Sequence, residues 1–219
     1  MEMSSEKPFV IGICGGTCSG KTTICDILGK NYNKDITSFK LDSYYKGGNE
    51  KTNFDHPDSL DWNLAINDLL KLIEGSSINI PIYDFTTHSR SEKSTFVKSK
   101  RIIVVEGILI FYKEELRKLL DLRIFVEAGS VIRFQRRLSR DRKERGRNEK
   151  EVMERWNNYV GPCHDMYVEP TKQYAHITIH NNQDGAFDEP LQAIQLDMLM
   201  SYVDKKLLIA NSVYGVEDL

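Results

Sequence analysis

An apolar run, Phe9 to Cys14, leads without interruption into Gly15-Gly16-Thr17-Cys18-Ser19-Gly20-Lys21-Thr22, an unbroken match to GxxxxGK[ST]. No other feature constrains the chain as much. The run is rich in β-branched residues and bounded by Pro8 and the glycine pair, which predicts a strand buried on both faces. After it, glycines let successive backbone N–H groups turn inward around an anion, and the following helix points its positive end at the same place. Lys21 adds a mobile cation and Thr22 a hydroxyl suited to Mg²⁺, with Thr23 continuing the helix start. A chance Gly-rich turn would not need the strand before it and the helix after it. The expected ligand is the phosphate tail of a nucleoside triphosphate.

Three more apolar runs, Ile36 to Leu41, Arg101 to Val105 and Leu122 to Val126, read as strands. Helical stretches are expected at Lys21 to Asn31, Ser59 to Glu74, Glu114 to Leu120 and Val131 to Arg145. In the second, Leu60, Leu64, Ile66, Leu69, Leu70 and Ile73 are expected on one buried stripe that ends at Gly75. Strands alternating with helices predict an α/β fold: a parallel sheet covered on both faces, with ligands at the carboxyl ends of its strands. Ser77 to Lys98 breaks that rhythm with two alternating stretches around Pro81, the pattern of a protruding β-hairpin. Later, Lys150 to Tyr167 and Ala186 to Leu208 are expected as helices flanking a short strand at His176 to Ile179, and Asn211 to Leu219 as a mobile tail.

Two carboxylates stand at strand ends. Glu106 follows Ile102 to Val105 directly, where an unpaired carboxylate in an apolar run would be costly unless it held Mg²⁺ or a metal-bound water. Asp42 closes Ile36 to Leu41 and opens the loop Ser43-Tyr44-Tyr45-Lys46. Its residue type suits either a turn or a group that takes a hydroxyl proton beside a γ-phosphate. From Arg133 to Arg147 the chain is dense in arginine, opposed only by Asp141 and Glu144. A solvated helix face, a nucleic-acid patch and a lid over transferring phosphates all fit that density, and linkage to the phosphate loop favours the lid. Only Phe134 is interleaved, too few rings for a single-strand platform.

Composition narrows the classes. With 30 basic and 32 acidic residues among 219, net charge is −2, so no overall basic field exists to hold nucleic acid or an anionic membrane. The longest apolar stretch, Ile102 to Tyr112, is far short of the roughly 20 residues of a spanning helix. The opening Met-Glu-Met-Ser-Ser-Glu-Lys lacks a cationic start followed by an apolar run, so a cytoplasmic protein is expected. Cys14, Cys18, Cys25 and Cys163 show no paired spacing and read as reduced thiols. No repeat, linker or low-complexity tract divides the chain, and one continuous domain over residues 1–219 is expected.

From about Phe9 to about Asp204 the sequence resembles the uridine kinase (uridine-cytidine kinase) family. The resemblance rests on GGTCSGKTT at 15–23, LDSYYK at 41–46, NFDHPDSLD at 53–61, PIYDFTTHSR at 81–90, VVEGILIFY at 104–112, RRLSRDRKERGR at 136–147 and EPTKQYA at 169–175. It implies a P-loop kinase sheet carrying a β-hairpin over the nucleoside site and an arginine-rich helical lid, the latter at about 133–155. It implies ATP as phosphate donor, Mg²⁺, and uridine or cytidine as the small-molecule acceptor at its 5′-hydroxyl, with no nucleic-acid or membrane partner and a homotetrameric assembly. Mg²⁺ is expected to be held by Thr22 with Glu106 and Asp42 nearby; carried over by position from the family, Asp42 matches the carboxylate beside that hydroxyl. Asp55 and Arg137 match the pair that holds the ribose hydroxyls. Tyr83 and His88 match hairpin residues that read the pyrimidine edge, with Phe85 lining the pocket. Arg140 and Arg145 match lid arginines near the phosphates, Arg147 a further substrate-side arginine, and Asp184 a carboxylate near the adenine end. Departures are a short loop at Lys46 to Thr52, Arg155 and Trp156 in place of glutamine and tyrosine, His176 in place of an acidic residue, and His180-Asn181-Asn182 in place of a Pro-Arg-Gly turn. A P-loop kinase for another small alcohol and a nucleotide-hydrolysing switch are the competing readings. The switch is disfavoured because Asn33-Lys34-Asp35-Ile36 lacks the fourth residue of a guanine-reading N-K-x-D.

Overall fold

The computed structural model describes residues 7–182 and 190–214, with the side chains of 190, 191 and 209–214 outside the description. Five strands form one parallel sheet in the order β2-β5-β1-β6-β7: β1 Phe9–Cys14, β2 Ile36–Lys40, β5 Ile102–Glu106, β6 Leu122–Glu127 and β7 Ile177–His180. The β-branched runs are central because the sheet is covered on both faces. In β1, Val10 and Cys14 join the core that contains Phe39, Val105 and Phe125, while Ile11 and Ile13 join Ile24, Leu28, Val104 and Val203 on the other face. Every residue of β5 is buried, including Glu106. Helices α1 Lys21–Asn31, α2 Trp62–Ile73, α3 Glu114–Arg117 and α4 Ser130–Glu144 alternate with the strands as the sequence predicts. Among the described residues no helix is long and apolar enough to cross a membrane.

Register sets the site. Ile13 pairs with Glu106 and Lys40 with the same residue on the other side, so β1, β2 and β5 end level with one another. Glu106, the last residue of β5, and the turns carrying Gly15 to Gly20 and Asp42 therefore share one edge of the sheet.

The appendage is a hairpin, β3 Ile78–Asp84 against β4 Ser89–Val97, with a register shift between Pro81 and Tyr83. Pro81 has no N–H to give a ladder, which suits the irregularity. The inward residues Ile78, Ile80 and Tyr83 join the core, and β4 is largely exposed. Arg90 fastens the hairpin to the Asp42 loop by donating to the carbonyls of Tyr45 at 2.7 Å and Tyr44 at 2.8 Å.

Several elements depart from expectation. Helix α2 starts at Trp62, capped by Asp61, because Pro57–Ser59 form a separate 3₁₀ turn. It buries Ala65, Asp68, Leu69 and Leu72, while Leu70 is exposed. The face is turned by Asp68, which accepts the Tyr44 hydroxyl at 3.1 Å and so belongs inside. After Arg117, α3 tightens into i→i+3 bonds at Leu119 and Leu120. The expected helix at 150–167 is only partly α-helical. It begins as α5 Glu149–Arg155 behind an Asn148 capping box, widens into π turns at Trp156–Val160 and His164–Val168 around α6 Gly161–Cys163, and ends as 3₁₀ to Tyr174. The last helix, α7, runs Pro190–Tyr214, so residues 211–214 are helical rather than a free tail. The four cysteines are free thiols.

Candidate active site

The loop between β1 and α1 takes its shape from residues in the left-handed region. Gly15 has φ +142° and Gly20, the N-cap of α1, φ +107°, while Cys18 adopts φ +59° despite its side chain. A Cβ at Gly15 would collide with the Val126 carbonyl oxygen, so only glycine passes there. Lys21 donates to the carbonyls of Gly15 at 3.0 Å and Gly16 at 2.9 Å, which anchors its ammonium over the loop.

In front of the loop is a cavity of about 530 Å³, lined by Thr17, Cys18, Gly20, Lys21, Thr22 and Thr23 on one side and by Lys40, Asp42, Glu106, Arg136, Arg140 and Asn181 on the other. Gly15, Gly16 and Ser19 shape the loop from behind. Ser19 is fully buried, and Gly16 packs on Arg133 and His164, whose imidazole is pushed down to about 4 by burial and by Arg133. Glu106 accepts the Thr22 hydroxyl at 3.3 Å and the Cys25 thiol at 3.4 Å, and pairs with Lys40 at 3.7 Å. Burial, then the Glu106 carboxylate, hold the Cys25 thiol far above its ordinary value, so it remains a donor.

Asp42 stands on a 3₁₀ turn, Leu41–Tyr44, immediately after β2. Burial raises its carboxyl above the usual range, opposed by Lys21 and then reinforced by Glu106. It also lines a second, smaller cavity of about 70 Å³ together with Tyr45, Phe54, Asp55, Phe85, Arg137, Arg140, Arg145, Arg147 and Arg155. Among the described residues Asp42 is the one carboxylate common to both cavities. The smaller cavity is well below the roughly 300 Å³ of an ordinary small-molecule pocket, and five arginines crowd its wall.

Tyr83 and His88 are not on that cavity's wall. They belong to the ring cluster that backs it: Tyr83 lies 5.3 Å from Tyr45 and 5.1 Å from Phe85, and His88 stacks on Phe54 at 5.1 Å and 19°. Burial, then Arg147 and Arg155, keep the His88 imidazole below its ordinary value and hence neutral near pH 7. Asp184 lies outside the described residues.

Sequence reasoning missed three contributors. Asp141, fully buried, gathers Arg137, Arg140, Arg145 and Arg147 within 4 Å. Of these only Arg137 and Arg145, at i−4 and i+4, stand at helical spacing from Asp141; Arg140 is its neighbour and Arg147 lies beyond the helix end. Asn181, also buried, donates to Ser19 O at 2.8 Å and accepts Arg136 at 3.3 Å, tying the turn after β7 to the phosphate loop. Arg155 reaches the carbonyls of Glu50 and Thr52. No local pattern marks these two contacts, which join segments more than 100 residues apart.

The arrangement of an amide-lined loop, strand-end carboxylates and converging arginines is one that binds a phosphorylated nucleotide and presents it to a second ligand. Residues 10–186 match the family described as "Phosphoribulokinase / Uridine kinase family". A uridine kinase of Clostridium novyi (strain NT) is 43% identical over 213 residues, 94% of this chain and 99% of the relative. Uridine-cytidine kinase B of Dictyostelium discoideum is 39% identical over 211 residues, 93% of this chain and 84% of the relative. Among solved structures, phosphoribulokinase from Rhodobacter spheroides superposes with a TM-score of 0.60 at 14% identity, covering 85% of this chain and 76% of that one, which is a likeness of fold. Matched by that family over residues 10–186 and about 40% identical to these relatives along most of its length, the chain belongs to the phosphoribulokinase/uridine kinase family.

Proposed function

We propose that this protein transfers the γ-phosphoryl group of ATP to the 5′-hydroxyl of uridine and cytidine, giving UMP and CMP in the cytoplasm. The observation that carries the reading is the position of Asp42, where the larger cavity meets the smaller one. A carboxylate at that junction can orient a hydroxyl held in the small cavity toward a terminal phosphate held in the large one. The relatives named uridine kinase and uridine-cytidine kinase support a nucleoside over another alcohol. So do the rings of Phe54 and Phe85, which line the smaller cavity and offer flat surfaces to a pyrimidine.

In this reading Lys21 and the amides of residues 15–23 hold the β- and γ-phosphates, and Asp184 serves the adenine end. Thr22, Glu106 and Asp42 present oxygen donors only, the set a hard divalent cation takes alongside phosphate oxygens. Mg²⁺ held there would neutralise charge on the bridging phosphates. Asp42 takes the 5′-hydroxyl proton or orients that hydroxyl toward the γ-phosphate. Asp55 and Arg137 hold the ribose hydroxyls, Arg147 assists on the substrate side, and Arg140 and Arg145 meet charge developing on the transferred group. Tyr83 and His88 read the base edge through the ring cluster, since a neutral imidazole serves as donor or acceptor according to tautomer. A homotetramer is the expected assembly.

ADP release measured across uridine, cytidine, purine nucleosides and non-nucleoside alcohols tests the proposal. Stimulation by the pyrimidine nucleosides, with phosphate found on the 5′-oxygen, is the expected result. Equal ADP release without any acceptor would identify a hydrolytic switch instead.

A further inference from the structure

The loop after Tyr45 is a strap fixed on two sides. On the hairpin side, the Gly48 N–H donates to the carbonyl of His88 at 2.9 Å. On the helical side, three successive carbonyls accept from one segment: Glu50 O from Arg155 Nη1 at 2.6 Å, Lys51 O from Tyr159 Oη at 3.4 Å, and Thr52 O from Arg155 Nη2 at 3.2 Å. Asn53 adds a contact to the Cys163 sulfur at 3.2 Å. Between these anchors the strap is stiffened from within. Thr52 Oγ1 accepts the Asn49 N–H at 2.9 Å, and Asn49 Oδ1 accepts the Lys51 N–H at 2.9 Å. A Cβ at Gly48 would strike Thr52, so the strap closes tightly only with glycine there.

Its two anchors differ in kind. The planar guanidinium of Arg155 spans two carbonyls at once, which an ammonium cannot do in one plane. His88, at the other anchor, is a non-glycine residue at φ +53°, a backbone state that persists when its surroundings impose it. The Gly48 bond fixes its carbonyl, and Phe54, the residue just beyond the strap, stacks on its ring. A continuous chain of contacts thus runs from Arg155 through the strap to the imidazole.

We infer that Arg155 is a positioning residue for the nucleoside base: acting through the 46–53 strap, it holds His88 in the conformation that meets the pyrimidine edge. The inference rests on the proposed role of His88. It assigns Arg155 to acceptor affinity and to discrimination between uridine and cytidine, and gives it no part in phosphate binding.

Steady-state kinetics of Arg155→Met, Arg155→Lys, His88→Ala and the Arg155→Met/His88→Ala double variant test this, with Tyr159→Phe as a milder lesion of the same strap. Loss of the two guanidinium bonds is expected to raise the uridine KM about tenfold while kcat and the ATP KM stay within about twofold. Arg155→Lys should recover part of that loss, and Tyr159→Phe should show a smaller shift of the same kind. With His88 already removed, Arg155→Met should change the uridine KM by less than about twofold, because residues acting through one another are not additive. A full tenfold loss in both backgrounds, a fall in kcat alone, or a parallel rise in ATP KM would overturn the inference. The wild-type protein run alongside separates the two levels: absence of nucleoside-dependent ADP release refutes the function and the inference together, whereas normal release with an unchanged KM in Arg155→Met refutes the strap alone.

Discussion

The Asp141 carboxylate accepts a hydrogen bond from Arg147 at 2.8 Å across the Gly146 turn that ends α4. The same carboxylate meets Arg140 at 2.8 Å, Arg137 at 3.5 Å and Arg145 at 3.6 Å, with no exposed surface of its own. One buried anion therefore organises four of the five arginines that line the smaller cavity and, through Arg140, touches the wall of the larger one. Asp141→Asn leaves mutually repelling guanidinium groups, Arg137 buried among them, and is expected to cost about 3–5 kcal/mol of stability. Chemical denaturation reads the loss, and kcat should fall with it as Arg140 and Arg145 lose their alignment. A variant as stable as the parent would show that the arginines are held by something else.

The pH dependence of that stability has a definite sign. Burial alone would raise the Asp141 carboxyl, but Arg137, Arg140 and Arg145 outweigh it and hold it below the usual carboxylate range. A depressed folded-state value contributes stability that is fully present above the unfolded carboxylate value, near 4, and is lost as pH falls through the folded one. The stability difference between parent and Asp141→Asn should therefore be flat from about pH 5 to 8 and shrink below about pH 4. A difference that instead grows on acidification would contradict the assignment.

Strand positions and the phosphate loop were legible because each is written in local chemistry. Phe9–Cys14 is β-branched and bounded by Pro8 and Gly15, and the helix after it starts at the lysine that the motif requires. Register was not legible, yet it alone brings Asp42 and Glu106 level with the loop. The segment after Arg155 misled for a different reason. Its apolar residues Trp156, Val160 and Cys163 sit at helical spacing, but Gly161-Pro162 remove side-chain bulk and an N–H, and the chain winds wider on either side of them, at Trp156–Val160 and His164–Val168. Leu70 failed as a core residue because periodicity counts apolar side chains and ignores a buried aspartate with a tyrosine partner. The base-side residues Tyr83 and His88 came from resemblance to known kinases, since a tyrosine and a histidine in a hairpin carry no signal of their own.

Gly15→Ala tests the geometry of the phosphate loop. The substitution places a side chain at φ +142° and against the Val126 carbonyl, so backbone strain of about 1–3 kcal/mol adds to a steric clash. Lower thermal stability and loss of ATP binding by calorimetric titration are expected. A folded variant that binds ATP with unchanged affinity would exclude this loop as the phosphate site.

Glu106→Gln keeps the shape of the side chain and removes its charge. Thr22 retains an acceptor, while the cation proposed between Thr22, Asp42 and Glu106 loses a ligand. The Mg²⁺ concentration for half-maximal velocity should rise about tenfold or more, with the uridine KM little changed. An unaltered Mg²⁺ dependence would remove Glu106 from the metal site.

Asp42 is the residue on which both halves of the site depend, and its amide variant gives the most direct test. In Asp42→Asn, turnover measured by UMP formation is predicted to fall by about 10²–10⁴ while calorimetric binding of uridine and ATP persists. Turnover near that of the parent, with both ligands bound normally, would contradict the account.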